Sequence, residues 1–600
     1  MKICIVTTPI RPIPTNFPPL GSMAIIQSLR NNGEEVHFFN IDYHRYSHEQ
    51  IYDYFKKNEF DAVGISAVVS TAYAYSKYLT NLIKNFNKNT IVFLGGGLAA
   101  SAEILHKRAN VDYCVVGDGE IIVKNLINSI KKNKISDSDL IKIKRITFID
   151  KENKLNFTGY EHPLPAPLLE SPDYKILVDD NSIDHYIDER GAKRYNPDDD
   201  LKEMNTKTAT VIVAKGCVAR CTFCHRFEKG YRVRPIEKIL DHIKMLKEDY
   251  NVGYLQIGDE NFGAYKKETA ELVKEIGSLN FRWMAGGVRA HTVDLEMLKL
   301  WKANGCEAVT FGIESGSPKM LKVMEKKITL EQNIQALKDT HEAGLSTTIQ
   351  LVVGMPGETD QTIEETVDFL KKTMKYYPEG FKKKINYLLS VNYAQALPGT
   401  PLYEYAREHG YVGKSLDEEE KYLISISDKD AYDNDHFINY TKQPLLKVYT
   451  WRHLINWKMF REHAKIHLKI KLSKIKIIFG MIAMVLNRIF KVRINSELED
   501  ELNKFTNDKS GSAYYNFQSQ ARLIEGLKLL LPWNKYTYPL ISLIVAYYES
   551  DSVKWFFKLI FEHIIWNFKK FDPNILPDKT LRKIVKINDT DATLELRKGR

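Results

Sequence analysis

Cysteine is scarce in this chain and unevenly placed. There are six in 600 residues, and three fall within eight positions, which is too few and too bunched for a disulfide framework. The opening Met1-Lys2-Ile3-Cys4-Ile5-Val6 reads directly as a strand, with no secretory apolar core before it, so reduced thiols and a cytoplasmic setting are expected. No apolar run approaches the ~20 residues that cross a bilayer. The longest, Ile477 to Leu486, is about half that length. A net charge of +10 comes without any nucleic-acid-binding motif, and nucleic-acid binding is not expected. Six hundred residues exceed a single core, so about three domains are anticipated.

The clustered cysteines are Cys217, Cys221 and Cys224, in Lys215-Gly216-Cys217-Val218-Ala219-Arg220-Cys221-Thr222-Phe223-Cys224-His225. A structural zinc site would want a fourth ligand, commonly in a second Cys-x2-Cys knuckle, and no second knuckle follows. Three thiolates on a four-iron cube instead leave one iron open for a reactive ligand. A strand-like run, Ala209 to Ala214, precedes the loop and a helix-like run, Pro235 to Tyr250, follows it. Strand-to-helix loops are where barrel enzymes carry their chemistry. Cys4, Cys114 and Cys306 sit in apolar contexts and read as core residues.

Residues 1–135 alternate apolar strand-like and helix-like runs, the pattern of a doubly wound parallel sheet. Ligands of such sheets bind beyond the carboxyl ends of the strands. Ser66, the run Gly95-Gly96-Gly97, and Gly117 stand at those ends, where missing side chains let a bulky ligand approach the backbone. Residues 136–205 read as a linker with a small hairpin (Lys144 to Asp150, Asn153 to Thr158), a stiff Pro-rich connector (His162 to Pro167) and a polar flap from Asp180 to Met204. From 206 to about 410 the strand–helix alternation resumes with about six strands, a partial (β/α)6 barrel. Its strand ends carry Gly258-Asp259-Glu260-Asn261, Arg289, Phe311-Gly312-Ile313-Glu314-Ser315-Gly316 and Gly354-Met355-Pro356-Gly357-Glu358.

The triad, followed in order by these segments, resembles the radical SAM enzymes, and the glycine-rich first domain resembles the cobalamin-binding domain that precedes many such barrels. The resemblance covers roughly residues 1–410. It implies a [4Fe–4S] cluster on Cys217, Cys221 and Cys224, with S-adenosylmethionine on the open iron. Asp259, Glu260 and Asn261 would bond the methionyl ammonium and Arg289 the carboxylate. Glu314 and Ser315 would bond the ribose, with Met355 and Phe223 near adenine. Cobalamin would lie over Ser66, Gly95, Gly96, Gly97 and Gly117. The Asp-x-His-x-x-Gly cobalt-ligand motif is missing after the first strand, where Thr7-Thr8-Pro9-Ile10 stands. Asp42-Tyr43-His44, after the second strand, reads as a loop rather than a ligand. Radical SAM methylthiotransferases need a three-cysteine N-terminal domain that Cys4 and Cys114 cannot supply.

The implied reaction is reductive cleavage of S-adenosylmethionine, hydrogen abstraction from a substrate carbon, and methyl transfer from cobalamin, fed by a flavodoxin- or ferredoxin-type reductant. Two alternatives stay open: a radical cyclisation or rearrangement without net methylation, and a cobalamin-free radical SAM enzyme. Residues 411–600 fall outside the resemblance and read as mostly helical. They are expected to cap the barrel, with an apolar or lipid-like small-molecule substrate. The alternative is peripheral contact with the inner face of a membrane, because Trp451 to Arg493 holds eleven Lys and Arg against one Glu. The segment His463 to Phe490 fits strand and helix periodicity equally.

Overall fold

The computed structural model describes residues 1–132, 136–160, 163–188, 206–225, 230–377, 389–429, 438–467, 472–490, 494–498, 500, 525–549, 553–568 and 581–584. Short runs of branched apolar residues make the first sheet. β1 (Lys2–Thr7), β2 (Glu35–Asn40), β3 (Ala62–Ser66), β4 (Ile91–Gly95) and β5 (Tyr113–Val115) are parallel. Their burial on both sides explains the unbroken hydrophobicity: Ile3 and Ile5 enter one core cluster, while Cys4 and Val6 enter the other. The strand order is β2-β1-β3-β4-β5, and the reversal on either side of β1 opens a crevice beyond the strand ends. The hairpin β6 (Ile146–Ile149) and β7 (Leu155–Phe157) adds antiparallel to the β5 edge, so the sheet continues past residue 135.

The second sheet begins with β8 (Lys207–Val211). A two-stranded ribbon of β9 (Ala214–Lys215) and β10 (Arg232–Val233) follows it and brackets the cysteine loop. The sheet then continues through β11 (Val252–Ile257), β12 (Arg282–Val288), β13 (Cys306–Glu314), β14 (Ser346–Val353) and β15 (Leu389–Tyr393), each parallel to its neighbour. The expected α/β class, with a doubly wound sheet, a six-strand half-barrel and a helical C-terminal part, is what forms.

One expectation is corrected and one ambiguity is narrowed. The start of the polar flap is no flap: Asp180 accepts from Asn40 Nδ2 at 2.9 Å and bonds the His44 ring at 3.1 Å, and Tyr186 is buried. The rest of that segment, 189–205, lies outside the described residues. The ambiguous stretch from His463 is helical on both sides of residues 468–471, which also lie outside the description.

The helix Leu445–Ile466 closes the open β15 edge of the half-barrel. Tyr393 donates its hydroxyl to the Tyr449 carbonyl, the Arg452 guanidinium stacks 5.0 Å from the Tyr393 ring, and Trp451 Nε1 donates to Asp360 Oδ1 at 2.8 Å. Part of the basic character read from Trp451 to Arg493 is neutralised, with Lys458 paired to Glu364 and Lys476 to Glu497; just before that stretch, Lys447 pairs with Asp360. Trp451 is fully buried. Trp451→Ala is therefore expected to cost about 3–5 kcal/mol and to lower the denaturation midpoint of the barrel, read by urea unfolding.

Candidate functional site

The cysteine loop is tied down by its own backbone and hydroxyls. Gly216 turns the chain in the left-handed region, at φ 85°. Thr222 donates its N–H to the Met324 carbonyl at 2.9 Å and its hydroxyl to the Val323 carbonyl at 3.2 Å, and its own carbonyl accepts from Leu402 N–H at 3.0 Å. Arg582, far along the chain, donates to the Arg220 carbonyl at 3.3 Å and pairs with Glu325 at 3.2 Å. These ties anchor the loop to the turn at Val323 and Met324, to Leu402 and to Arg582.

The thiols sit among donors. Cys217 Sγ accepts from Ala219 N–H at 3.4 Å, and Cys221 Sγ accepts from Arg289 Nη1 at 3.7 Å. Such N–H···S contacts suit thiolates bound to iron. Burial and then the neighbouring Cys221 push the Cys224 thiol up to about 12, although its surface is solvent-accessible. Cys217 is raised too, mainly by burial. Both thiols would be neutral at pH 7 until a metal displaced their protons. Among the described residues no group of three His, Cys, Asp or Glu side chains, the three clustered cysteines included, is set to hold a single metal ion.

The residues expected around S-adenosylmethionine divide. Glu260 is exposed close to Cys217 and Cys224, and Asn261 is fully buried with neither its amide nitrogen nor its oxygen bonded, an arrangement that a polar ligand would complete. Asp259, expected on the ammonium, has a different job. Its Oδ1 accepts from Val213 N–H at 2.9 Å and Ala214 N–H at 3.2 Å, fastening the base of the cysteine loop. Arg289 stands at its strand end, but its guanidinium is turned onto Cys221 and the Lys326 carbonyl. Glu314 holds a left-handed φ of 66° and accepts from the buried Lys326 ammonium at 2.8 Å. Ser315 bonds the Thr366 hydroxyl at 3.1 Å. Met355, expected to reach adenine through its backbone, gives its N–H to Glu358 and its carbonyl to Glu358 N–H. Its side chain packs in one apolar cluster with Phe223 instead. Sequence alone carried no signal for Lys326, Thr222 or Arg582.

On the first sheet, the strand ends form a shallow cradle. A Cβ on Gly96 would lie 2.4 Å from the Ala67 carbonyl, whereas one on Gly95 would meet only the Val115 carbonyl at 4.0 Å, leaving the surface above it open. The Ser66 carbonyl accepts from Thr8 Oγ1 at 3.0 Å, and Gly117 turns at φ 90°. Of the three consecutive glycines only Gly95 leaves backbone facing open space for a flat ligand, since a Cβ on Gly97 would also meet a carbonyl, that of Val68, at 2.5 Å. The two sheets meet here. A Cβ on Gly97 would lie 3.5 Å from the ring of His225, the residue directly after Cys224. Lys215, two residues before Cys217, reaches Glu120 at 2.8 Å and Asp118 at 3.1 Å, and Arg232 reaches Asp118 at 2.9 Å. Although burial works the other way, Lys215 and Arg232 hold the Asp118 carboxyl below its usual range, and the two acids hold the Lys215 ammonium above its own.

A family model for the radical SAM superfamily matches residues 211–370, and one for the B12 binding domain matches residues 7–127. The chain is 29% identical over 427 residues to an uncharacterised methyltransferase of Pyrococcus horikoshii, covering 68% of this chain and 83% of that protein. It is 26% identical over 362 residues to an anaerobic magnesium-protoporphyrin IX monomethyl ester cyclase of Rubrivivax gelatinosus, covering 58% of this chain and 61% of the cyclase. The solved structure of OxsB, a cobalamin-dependent S-adenosylmethionine radical enzyme with aqua-cobalamin and S-adenosylmethionine bound, shares the fold. It has a TM-score of 0.53 at 16% identity, over 98% of this chain and 83% of that one.

Burial raises the Asp259 carboxyl from 3.8 to about 7, so the folded apo protein takes up a proton there. That contribution to stability is complete below about pH 4 and is lost as pH rises through 7. Asp259→Asn keeps an acceptor for Val213 and Ala214 but removes the charge. Apo-protein denaturation midpoints should therefore fall less steeply between pH 4 and 7 in the variant. For the ionic seam, a double-mutant cycle with Lys215→Gln and Asp118→Asn should give a coupling energy of about 0.5–3 kcal/mol in chemical denaturation, and added salt should shrink it.

Proposed function

A radical SAM domain behind a B12-binding domain makes this chain a cobalamin-binding radical SAM protein, and we propose that it methylates an unactivated carbon of a small-molecule substrate. The observation that carries this reading is the seam between the two sheets. His225 lies against Gly97 and Lys215 pairs with Asp118 and Glu120, so the expected cluster loop and the expected cobalamin cradle front one space. When bound, the cluster and S-adenosylmethionine supply a 5′-deoxyadenosyl radical, and cobalamin supplies a methyl group.

The chain's own residues do the positioning. Cys217, Cys221 and Cys224 would hold three irons, with the Arg289 N–H on Cys221 Sγ stabilising thiolate charge. Glu260 and Asn261 would accept from and donate to the methionyl end. The Glu314–Lys326 pair offers a carboxylate toward ribose hydroxyls, and Phe223 with Met355 gives an apolar wall for adenine. Asp259 keeps the loop base in place while ligands come and go. Helix Leu445–Ile466 seals the β15 edge against water. Cys4, Cys114 and Cys306 are each buried in strands, and the family resemblance implies an external flavodoxin- or ferredoxin-type donor of electrons for the cluster.

Kinship with the cyclase supports a second reading, radical cyclisation without net methylation. The methyltransferase reading is preferred because the relative of that name is matched over 83% of its length against 61% for the cyclase. Product counting after anaerobic reconstitution separates them. Methylation consumes two S-adenosylmethionines per turnover and yields one S-adenosylhomocysteine and one 5′-deoxyadenosine. Cyclisation yields no S-adenosylhomocysteine. Cys221→Ala should abolish 5′-deoxyadenosine formation; persistence of that product would sink the cluster assignment.

A further inference from the structure

We propose that the C-terminal helices form a docking surface for an anionic lipid bilayer, on which the protein rests without crossing it. Exposed large apolar side chains are ordinary when scattered, but here they are concentrated. Of 28 in the described residues, 15 lie between Ile475 and Phe568.

Helix Val553–Phe568 is apolar on two opposite sides. Trp555 and Leu559 point into the core against helix Leu445–Ile466, while Val553, Phe557, Phe561, Ile564 and Phe568 face outward, with Phe561 66% and Phe568 86% exposed. A helix at an ordinary aqueous surface carries polar residues on its outer face. The preceding helix, Tyr538–Glu549, repeats the arrangement, with Ile541, Val545 and Ala546 buried and Leu540, Leu543 and Tyr547 outward. Tyr547 meets the half-buried Phe556 edge-to-face at 5.9 Å, so the two helices pack side by side. Helix Lys474–Phe490 does the same elsewhere on the domain. Ile477, Ala483 and Met484 are buried, while Ile475, Phe479, Ile482 and Val485 are exposed.

No described helix is long and apolar enough to cross a membrane. Chemistry favours the interface, where aromatic side chains and basic residues work together. Lys465, Lys474, Lys535 and Lys554 are exposed, each adjacent in sequence to an exposed apolar residue (Ile466, Ile475, Tyr536 and Val553). A second copy of the chain would bring the same cationic rim and a net charge of +10, so like would face like, whereas an anionic leaflet complements both features.

The test uses the full apo chain, needs no cofactor, and so stands or falls separately from the catalytic reading. Purified protein is sedimented with vesicles of phosphatidylcholine alone or mixed with phosphatidylglycerol. Pelleting with the anionic vesicles, weakened by salt, is expected. Each of Phe557→Asp and Phe561→Asp should reduce binding about tenfold or more, the order expected when a buried Phe side chain is lost from an interface. Both positions are on the outer face, and far-UV circular dichroism checks that the variants stay folded. Three results would overturn the proposal: no pelleting with either vesicle, equal pelleting with neutral vesicles, or a dimer in light scattering that Phe557→Asp abolishes without any vesicle binding.

Discussion

The ionic seam of Lys215 and Arg232 with Asp118 and Glu120 is the interaction on which the arrangement of this protein depends. One apolar cluster runs from the first sheet (Ile3, Ile5) into the second (Ala209, Val211), and non-directional apolar contact alone leaves the relative setting of the two sets of strand ends unfixed. Four charges brought within about hydrogen-bond distance at a partly buried junction remove that freedom, because opening it would leave charges without partners in a poorly solvated place. Lys215 is the last residue of β9, two positions before the first clustered cysteine, and Asp118 follows the last parallel strand of the first sheet. The electrostatic contact is thereby also a ruler between two cofactor faces.

Around that seam, the site is built mostly from backbone satisfaction. Asp259 and Glu358 are both fully buried carboxyls that cap backbone N–H groups at strand ends, and burial raises them to about 7 and about 8. They hold turns rather than ligands. The groups placed to meet a ligand are few: the exposed Glu260 at the mouth and the unbonded amide of Asn261 beside it in sequence. A site organised this way keeps its shape when empty and needs little reorganisation on binding.

The elements were legible in the sequence because local pattern produces them. Doubly buried parallel strands read as continuous apolar runs, the half-barrel as their repetition, and the cysteine loop as a density of thiols that no core requires. Partnerships were not legible. Asp259 looks the same whether it faces a ligand or the backbone of Val213, and Met355 gives no sign that Glu358, three residues on, will occupy its N–H. Lys215 and Asp118 are 97 residues apart, and only the packed fold makes them neighbours. Trp555 and Phe557 are equally apolar on paper, and which one faces out depends on where helix Leu445–Ile466 lies.

The Arg582 side chain closes the cysteine loop from several hundred residues away, through the Arg220 carbonyl. A ribosome makes residue 220 long before residue 582, so during synthesis the loop exists for most of that interval without its final tie. The first sheet can fold meanwhile, since all its strands lie before residue 158. The loop that would receive iron is completed only when the short helix carrying Arg582 docks. Completion of the loop is thus coupled to a late stage of translation, and a chain aborted before that helix would present the three thiols on a loop that lacks its last support.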